Sequence, residues 1–259
     1  MIYTLGYRVR ILIVSDIHAN LEALEACLSA APACDRVFNL GDIVGYGANP
    51  NEVTERSREL GNVFIRGNHD KACASVTSLN DFNPVAGLAV LWTRQRLKPE
   101  NLSFLRGLPA GPLSPVEGVS CVHGSPRDED EYVLMRRDAY SMLAQATAHI
   151  TFFGHTHVQG GFWIDDEEQQ EGGLEPKYDS RSGYQELTVE LSKTAKYMIN
   201  PGSVGQPRDG DPRAAFALFD TERRTVTFHR VPYDIATAQE KIFAAGLPER
   251  LAIRLEEGR

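Results

Sequence analysis

Cysteine is scarce in this chain, with four in 259 residues (Cys27, Cys34, Cys73 and Cys121), and no two stand at C-x-x-C spacing. That argues against a Cys-rich structural zinc site, and together with the absence of a secretory leader it argues against a disulfide scaffold. Long apolar runs are also missing. No stretch approaches the roughly 18–20 residues of a membrane span, and Met1 to Arg10 has no apolar centre of the kind a signal peptide needs. The expected location is therefore the cytoplasm. Nor is there a long basic run: 27 Lys and Arg face 35 Asp and Glu, a formal charge of -8. Nucleic-acid or membrane-surface binding rests on neutralising phosphate with Lys and Arg, so neither is expected as the main role. An anionic substrate would need local positive charge, which bound metal could supply. Internal repeats and coiled-coil patterns are absent as well.

With 42% apolar and 24% charged residues the chain has ample material for a packed core. Its length suits one large α/β domain, taken as residues 1–259. The apolar runs ending at Val14, Leu40 and Arg66 predict strands separated by helices, which calls for crossovers and parallel pairing. The first helix is expected to begin at Asn20, with Leu21, Leu24 and Leu28 at helical spacing. The second is expected at Pro50, with Asn49 and Glu52 forming a capping box. A later helix opens at Asn83-Pro84 and is expected to bury a face made of Val85, Leu88 and Trp92. Further strands are expected at Val119–His123, His149–Phe153, Leu187–Leu191, Tyr197–Ile199, Ala214–Phe219 and Thr225–Val231. Between Asp165 and Glu186 acidic residues, Gln and Gly displace the apolar ones, predicting a mobile loop or β-flap inserted in the domain.

Five stretches place metal-ligand residue types directly after an apolar run: Asp16-x-His18, Gly41-Asp42, Gly67-Asn68-His69-Asp70, His123 and Gly154-His155-x-His157. Each alone reads more simply as a turn or a core histidine. All five, each at a strand end where open α/β sheets collect their sites, are poorly explained by chance. Four histidines, two aspartates and an asparagine amide suit a borderline divalent ion such as Mn, Fe, Co, Ni or Zn. They are more ligands than one ion needs. Asp42, whose carboxylate could be shared, is the candidate bridge between two ions. Such a pair, roughly 3.5–4 Å apart, clamps a phosphoryl group and generates a nucleophile from bridging water.

Motif by motif these stretches resemble the calcineurin-like metallophosphoesterases, and most closely the bacterial branch related to diadenosine tetraphosphatase. The stretch Asn200-Pro201-Gly202-Ser203-Val204-Gly205-Gln206-Pro207-Arg208 and the following Asp209 to Arg213 are similar to that branch too. The resemblance implies a four-layer α/β/β/α sandwich with two mixed sheets and the site along one edge. It implies a first divalent metal held by Asp16, His18 and His157, a second by Asn68, His123 and His155, and Asp42 bridging. His69 would act on the phosphoryl oxygen or the leaving group as donor or general acid, with Asp70 orienting it. Arg208 and Arg213 are candidates for bidentate phosphate contact, and Tyr46 and Arg127 are weaker candidates for a base or phosphate. The function implied is hydrolysis of phosphate mono- or diesters or dinucleoside polyphosphates by a metal-bridging hydroxide. The alternatives are a catalytically silent binding module, as in the retromer subunit that shares this likeness, or a protein phosphatase. A nuclease fits poorly with the acidic charge. The expected partner is a small phosphoester or nucleotide, without stable nucleic acid or membrane.

Overall fold

The computed structural model describes residues 9–80 and 82–259. The leaderless opening expected for Met1 to Arg10 therefore lies, up to Arg8, outside the described residues. The first strand, β1 (Arg10–Val14), alternates its buried side chains between two cores: Ile11 and Ile13 enter one, Leu12 and Val14 the other. This is the period-2 rule acting on a strand buried on both faces. Helix α1 (Leu21–Ala30) starts where Asn20 accepts a hydrogen bond from the Ala23 amide, and β2 (Arg36–Asn39) then pairs parallel to β1. Helix α2 (Pro50–Leu60) leads to β3 (Val63–Phe64), parallel to β2. The capping box expected for α2 does not form: Asn49 makes no side-chain cap, and Pro50 at the first helical position supplies the start.

Helix α3 (Asn68–Cys73) begins inside the third ligand motif and is followed by α4 (Pro84–Arg96) and α5 (Pro99–Arg106). The expected apolar face of α4 holds at Val85 and Trp92, which are half-buried and pack on the core, and is corrected at Leu88. Leu88 is 58% exposed, and the buried side is made by Ala86, Ala89, Val90 and Thr93. Strands β4 (Leu113–Val116), β5 (Val119–Cys121) and, after α6 (Arg136–Gln145), β6 (Ile150–Phe152) open the second sheet.

The acidic stretch after Asp165 takes the second of its two expected forms, a β-flap. Strand β7 (Gly160–Asp165) turns through it into β8 (Gln170–Leu174), an antiparallel edge hairpin, and β9 (Gln185–Glu190) crosses to the first sheet. The chain closes with β10 (Lys196–Asn200), β11 (Ala214–Asp220), β12 (Thr225–Val231), α7 (Ile235–Ala244) and α8 (Glu249–Glu257).

The strand orders are β3-β2-β1-β11-β12-β9 and β4-β5-β6-β10-β7-β8, two mixed six-stranded sheets. Phe38, Phe152, Phe219 and Phe228 fill the core between them, and Phe152 meets Phe219 across it at 5.6 Å. Each such side chain contributes about 1.5–3 kcal/mol on burial. Leu24, Val53 and Leu105 cover the outer face of the first sheet, while Met142 and Leu143 of α6 cover that of the second. This is the expected four-layer α/β/β/α sandwich. The parallel strands β1, β2 and β3 and, opposite them, β5 and β6 all deliver their carboxyl ends to one edge.

Candidate dinuclear metal centre

All five ligand-bearing stretches converge at that edge. Asp16, His18, Asp42 and His157 offer one donor atom each within 4.8 Å of one another, and Asp42, His123 and His155 do the same. Asp42 belongs to both groups. Its Oδ2 lies 3.5 Å from His18 Nε2 and 3.5 Å from His123 Nε2, while its Oδ1 accepts from the His69 amide at 2.8 Å. A single carboxylate oxygen thus faces both groups, rather than one oxygen facing each.

The imidazoles are oriented by the backbone. His18 Nδ1 lies 3.2 Å from the Val44 carbonyl, His123 Nδ1 2.8 Å from Leu40, and His157 Nδ1 2.6 Å from Gln206. His155 is turned the other way, with Nε2 3.1 Å from the Asp130 carbonyl. A carbonyl only accepts, so each of these nitrogens carries the proton and the opposite nitrogen keeps its lone pair for the site. Three histidines therefore present Nε2 and one presents Nδ1. Two of those lone pairs, His18 Nε2 and His157 Nε2, face each other at 3.1 Å.

Tight loops bring the ligands this close. Asp16, His18, Asp42, His155 and His157 all have positive φ, between 49° and 65°, a left-handed conformation uncommon for residues other than glycine. A Cβ at Gly67 would overlap the Asp42 carboxylate, and one at Gly154 would overlap the Ser15 hydroxyl. The glycines of the Gly67-Asn68 and Gly154-His155 motifs are there because the backbone must pass against Asp42 and Ser15.

A sequence model described as the calcineurin-like phosphoesterase superfamily domain matches residues 9–224. The chain belongs to that superfamily. It is 38% identical over 253 residues to the uncharacterized protein MJ0912 of Methanocaldococcus jannaschii, covering 96% of this chain and 98% of that one. The crystal structure of a metallophosphoesterase from Sphaerobacter thermophilus has 42% identity and a TM-score of 0.83, covering 98% and 100% of the two chains. The hypothetical protein PH1004 of Pyrococcus horikoshii shares the fold at a TM-score of 0.74 and 21% identity, over 97% and 99%.

Calcineurin-like phosphoesterases typically bind two divalent metals, and the donor set here fits such a pair. Opposed lone pairs on His18 and His157 are repulsive unless a cation lies near both. Asn68 Oδ1 and His123 Nε2 are buried without hydrogen-bond partners, as orphaned donors of a metal site would be. The electrostatics also demand cationic charge. Burial works to raise the carboxyls of Asp16 and Asp42, yet neighbouring imidazoles hold both below the usual range: chiefly His157 for Asp16 and His123 for Asp42. Burial opposes charge on His123, but with no cation beside it the Asp42 carboxylate outweighs burial and lifts that imidazole to about 10, so Nε2 would hold a proton where a metal ion would otherwise take its lone pair. Burial dominates at His155, which falls to about 3, with the His123 charge adding to it.

The remaining candidate residues divide. His69 is buried against Tyr46 and Phe82, with ring centroids 4.3 Å and 5.0 Å away, and its Nδ1 has no partner. Asp70, expected to orient His69, instead accepts from the Val44 amide at 3.2 Å and the Gly67 amide at 3.0 Å. As the third residue of α3 its carboxylate turns back to the helix start, away from the imidazole. Arg208 reaches the site: its Nη2 lies 3.1 Å from Gln206 Oε1, its Nε is buried without a partner, and its guanidinium lies 5.8 Å from the Tyr46 ring centre. Arg213 is brought together not with this cluster but with Asp211 at 2.5 Å and with the Gly183 carbonyl. Arg127 donates to Ser141 at 2.7 Å.

Sequence reasoning missed the strap 128–132. It supplies the Asp130 carbonyl to His155, and Tyr132 stacks on that imidazole at 3.7 Å. Lys71 holds the strap through Glu129 at 2.9 Å and Asp130 at 2.5 Å, and Arg66 holds it through Glu129 at 2.8 Å. The signal available was the run Asp128-Glu129-Asp130-Glu131 directly after the His123 strand. Among the described residues no helix is long and apolar enough to cross a membrane.

Proposed function

We propose that this protein is a dinuclear metal-dependent phosphoesterase acting on small phosphate esters. The observation that carries the reading is Asp42 Oδ2, placed 3.5 Å from a histidine of each ligand group. Asp16, His18 and His157 would hold one ion, Asn68, His123 and His155 the other, and Asp42 both. With no thiolate and mixed N/O donors, Mn, Fe, Co, Ni or Zn is the expected class. Bound there, a divalent pair supplies Lewis acidity for phosphoryl oxygens and a source of hydroxide near neutral pH.

The chain's own groups supply the rest. His69 donates a hydrogen bond to the phosphoryl or leaving oxygen, a role supported by its buried Nδ1, which has no partner. Arg208 neutralises a non-bridging phosphoryl oxygen through a guanidinium with donors to spare. The Asp130 carbonyl and Tyr132 keep the His155 ring from rotating, and Asp70 ties the β2 and β3 loops so that Asp42 and His69 keep their register. A filled ligand set at every motif favours an enzyme over a silent binding module. The test is metal content together with turnover of a phosphomonoester and phosphodiester panel on Mn-, Fe- and Zn-loaded protein. Stoichiometric metal with no hydrolysis of any ester would reject the enzyme reading, and absence of metal binding would reject the centre itself.

A further inference from the structure

The two ligand groups are held in place by different means. His18 and His157 of the first group lean on the Val44 and Gln206 carbonyls. The loops that own those carbonyls are stitched to the ligand loops through the backbone: the His18 amide donates to Asp42 at 2.9 Å, the Gly205 amide to Asp16 at 3.0 Å and the Arg208 amide to His157 at 3.1 Å. His155 of the second group leans instead on the Asp130 carbonyl, 3.1 Å from its Nε2. Asp130 lies between β5 and α6 in a stretch without regular secondary structure. Among the described residues the backbone hydrogen bonds of that stretch are local turns, the amides of Ser125 and Glu131 donating to Asp128 at 2.9 Å and 3.3 Å. Its own backbone therefore does not fix the height of the Asp130 carbonyl over the imidazole.

Charge does so. Glu129 accepts from Nε and Nη2 of Arg66 at 2.8 Å each, a two-point fork, and from the Lys71 ammonium at 2.9 Å. The same ammonium reaches Asp130 at 2.5 Å. Lys71 is only 7% exposed, and a charge so deeply placed is tolerated because both carboxylates meet it. Arg66 and Lys71 stand on either side of Asn68: one follows β3, the other lies in α3, whose first residue is Asn68. The strap springs from His123 through Gly124, where a Cβ would come within 2.6 Å of the Glu129 carbonyl oxygen. Glu129 is thus the point at which the carriers of Asn68, His123 and His155 meet, and those three are the ligand set of one ion.

We infer that Lys71 and Glu129 are positioning residues that set the affinity of the second ion and leave that of the first untouched. The inference rests on the dinuclear reading and adds to it that the two ions can be uncoupled from outside the ligand set. With the clamp intact, the Asp130 carbonyl keeps the proton of His155 on Nε2 and its Nδ1 toward the site, and α3 keeps Asn68 beside it. With the clamp cut, the strap and α3 part, and both ligands must be ordered at the moment of binding.

The test is calorimetric Mn²⁺ titration of chelated protein. Lys71→Met, which removes the charge and keeps the stem, should bind the first ion as wild type does and the second about 10–100-fold more weakly, the scale seen when a group that orients a metal ligand is lost. Glu129→Gln keeps the shape of the carboxylate and should show the same split, so the clamp is read even if Lys71→Met does not fold. The ion affected is identified in backgrounds that keep only one. Added to His157→Ala, which retains the second ion, either change should weaken the ion that remains; added to His155→Ala, which retains the first, neither should alter it. Electron paramagnetic resonance reads the same loss without turnover: Mn²⁺ sufficient to give wild type the spectrum of a coupled pair should give the clamp variants that of an isolated ion. Variants that bind both ions as wild type does, that weaken both equally, or that weaken the ion left in His155→Ala would overturn the inference while leaving the dinuclear reading intact. Wild type that takes up no metal would reject the dinuclear reading itself.

Discussion

Because Asp42 Oδ2 faces both ligand groups, a change at that residue should empty both ion sites, whereas a change at a flanking histidine should empty one. A ligand that binds only the folded state stabilises it by RT ln(1 + [L]/Kd), about 2.7 kcal/mol at a hundredfold excess over Kd. Two independent ions give about 5.5 kcal/mol. For a chain of this size each kcal/mol moves Tm by roughly 2–4 °C, so loading the wild type with Mn²⁺ should raise Tm by roughly 11–22 °C. His157→Ala and His155→Ala should each retain about half of that rise and one ion per chain. Asp42→Asn should retain little of it, with metal content near zero. Scanning calorimetry of chelated and Mn²⁺-loaded protein, with elemental analysis of the same samples, reads both quantities. If Asp42→Asn keeps the full rise, or if either histidine variant loses both ions, the shared-oxygen geometry does not govern binding.

Three further outcomes follow from the same contacts. His69→Ala should keep both ions and the full thermal shift while kcat falls about 10²–10⁴-fold, the scale of acid–base assistance; full turnover on several esters would remove His69 from the chemistry. Arg208→Ala should raise KM about 10–100-fold with little change in Tm, as loss of a charge-assisted contact predicts, whereas Arg213→Ala should destabilise by about 1.5–3 kcal/mol because it removes the charged hydrogen bonds to Asp211 and leaves that carboxylate only Arg230 at 4.0 Å; urea melts and steady-state kinetics of both variants separate the two roles. His229 is fully buried and stacked on Phe216, and burial, opposed weakly by Glu186, lowers it to about 4. Between that value and the ordinary 6.5 the unfolded chain binds the proton and the folded chain does not. Stability should therefore fall as pH drops through that window, by about 3 kcal/mol in all. His229→Gln should flatten the dependence of the urea midpoint on pH between 7 and 4.5, and an unchanged slope would refute the assignment.

How much was legible depended on how local the cause was. Asn20 caps α1 as its sequence position predicts, because an Asn side chain reaches an amide three residues on without help from the rest of the fold. Asn49 has the same local credentials and makes no cap, since its backbone already belongs to the loop packed on Ala19. Leu88 fits a helical stripe with Val85 and Trp92 yet is exposed, because the fully buried side of α4 runs through Ala86, Ala89, Val90 and Thr93. The acidic segment after Asp165 read as a mobile loop or a β-flap; the antiparallel neighbour β7 decides for the flap over Gln170–Leu174, and that partner is a tertiary fact.

The residue order alone determined the alternation of strands and helices, the seven ligand types at strand ends and the superfamily those motifs spell, because hydrophobic period and motif chemistry are written along the chain. Only the folded chain decided the rest. It showed that one oxygen of Asp42 serves both groups, that Asp70 braces backbone rather than His69, that Arg213 is engaged by Asp211, and that Tyr132 and Asp130 fix His155. Most of those outcomes depend on distances between residues far apart in the chain, such as Asp42 and His123. A local pattern carries no information about which of several chemically competent partners arrives first within bonding reach.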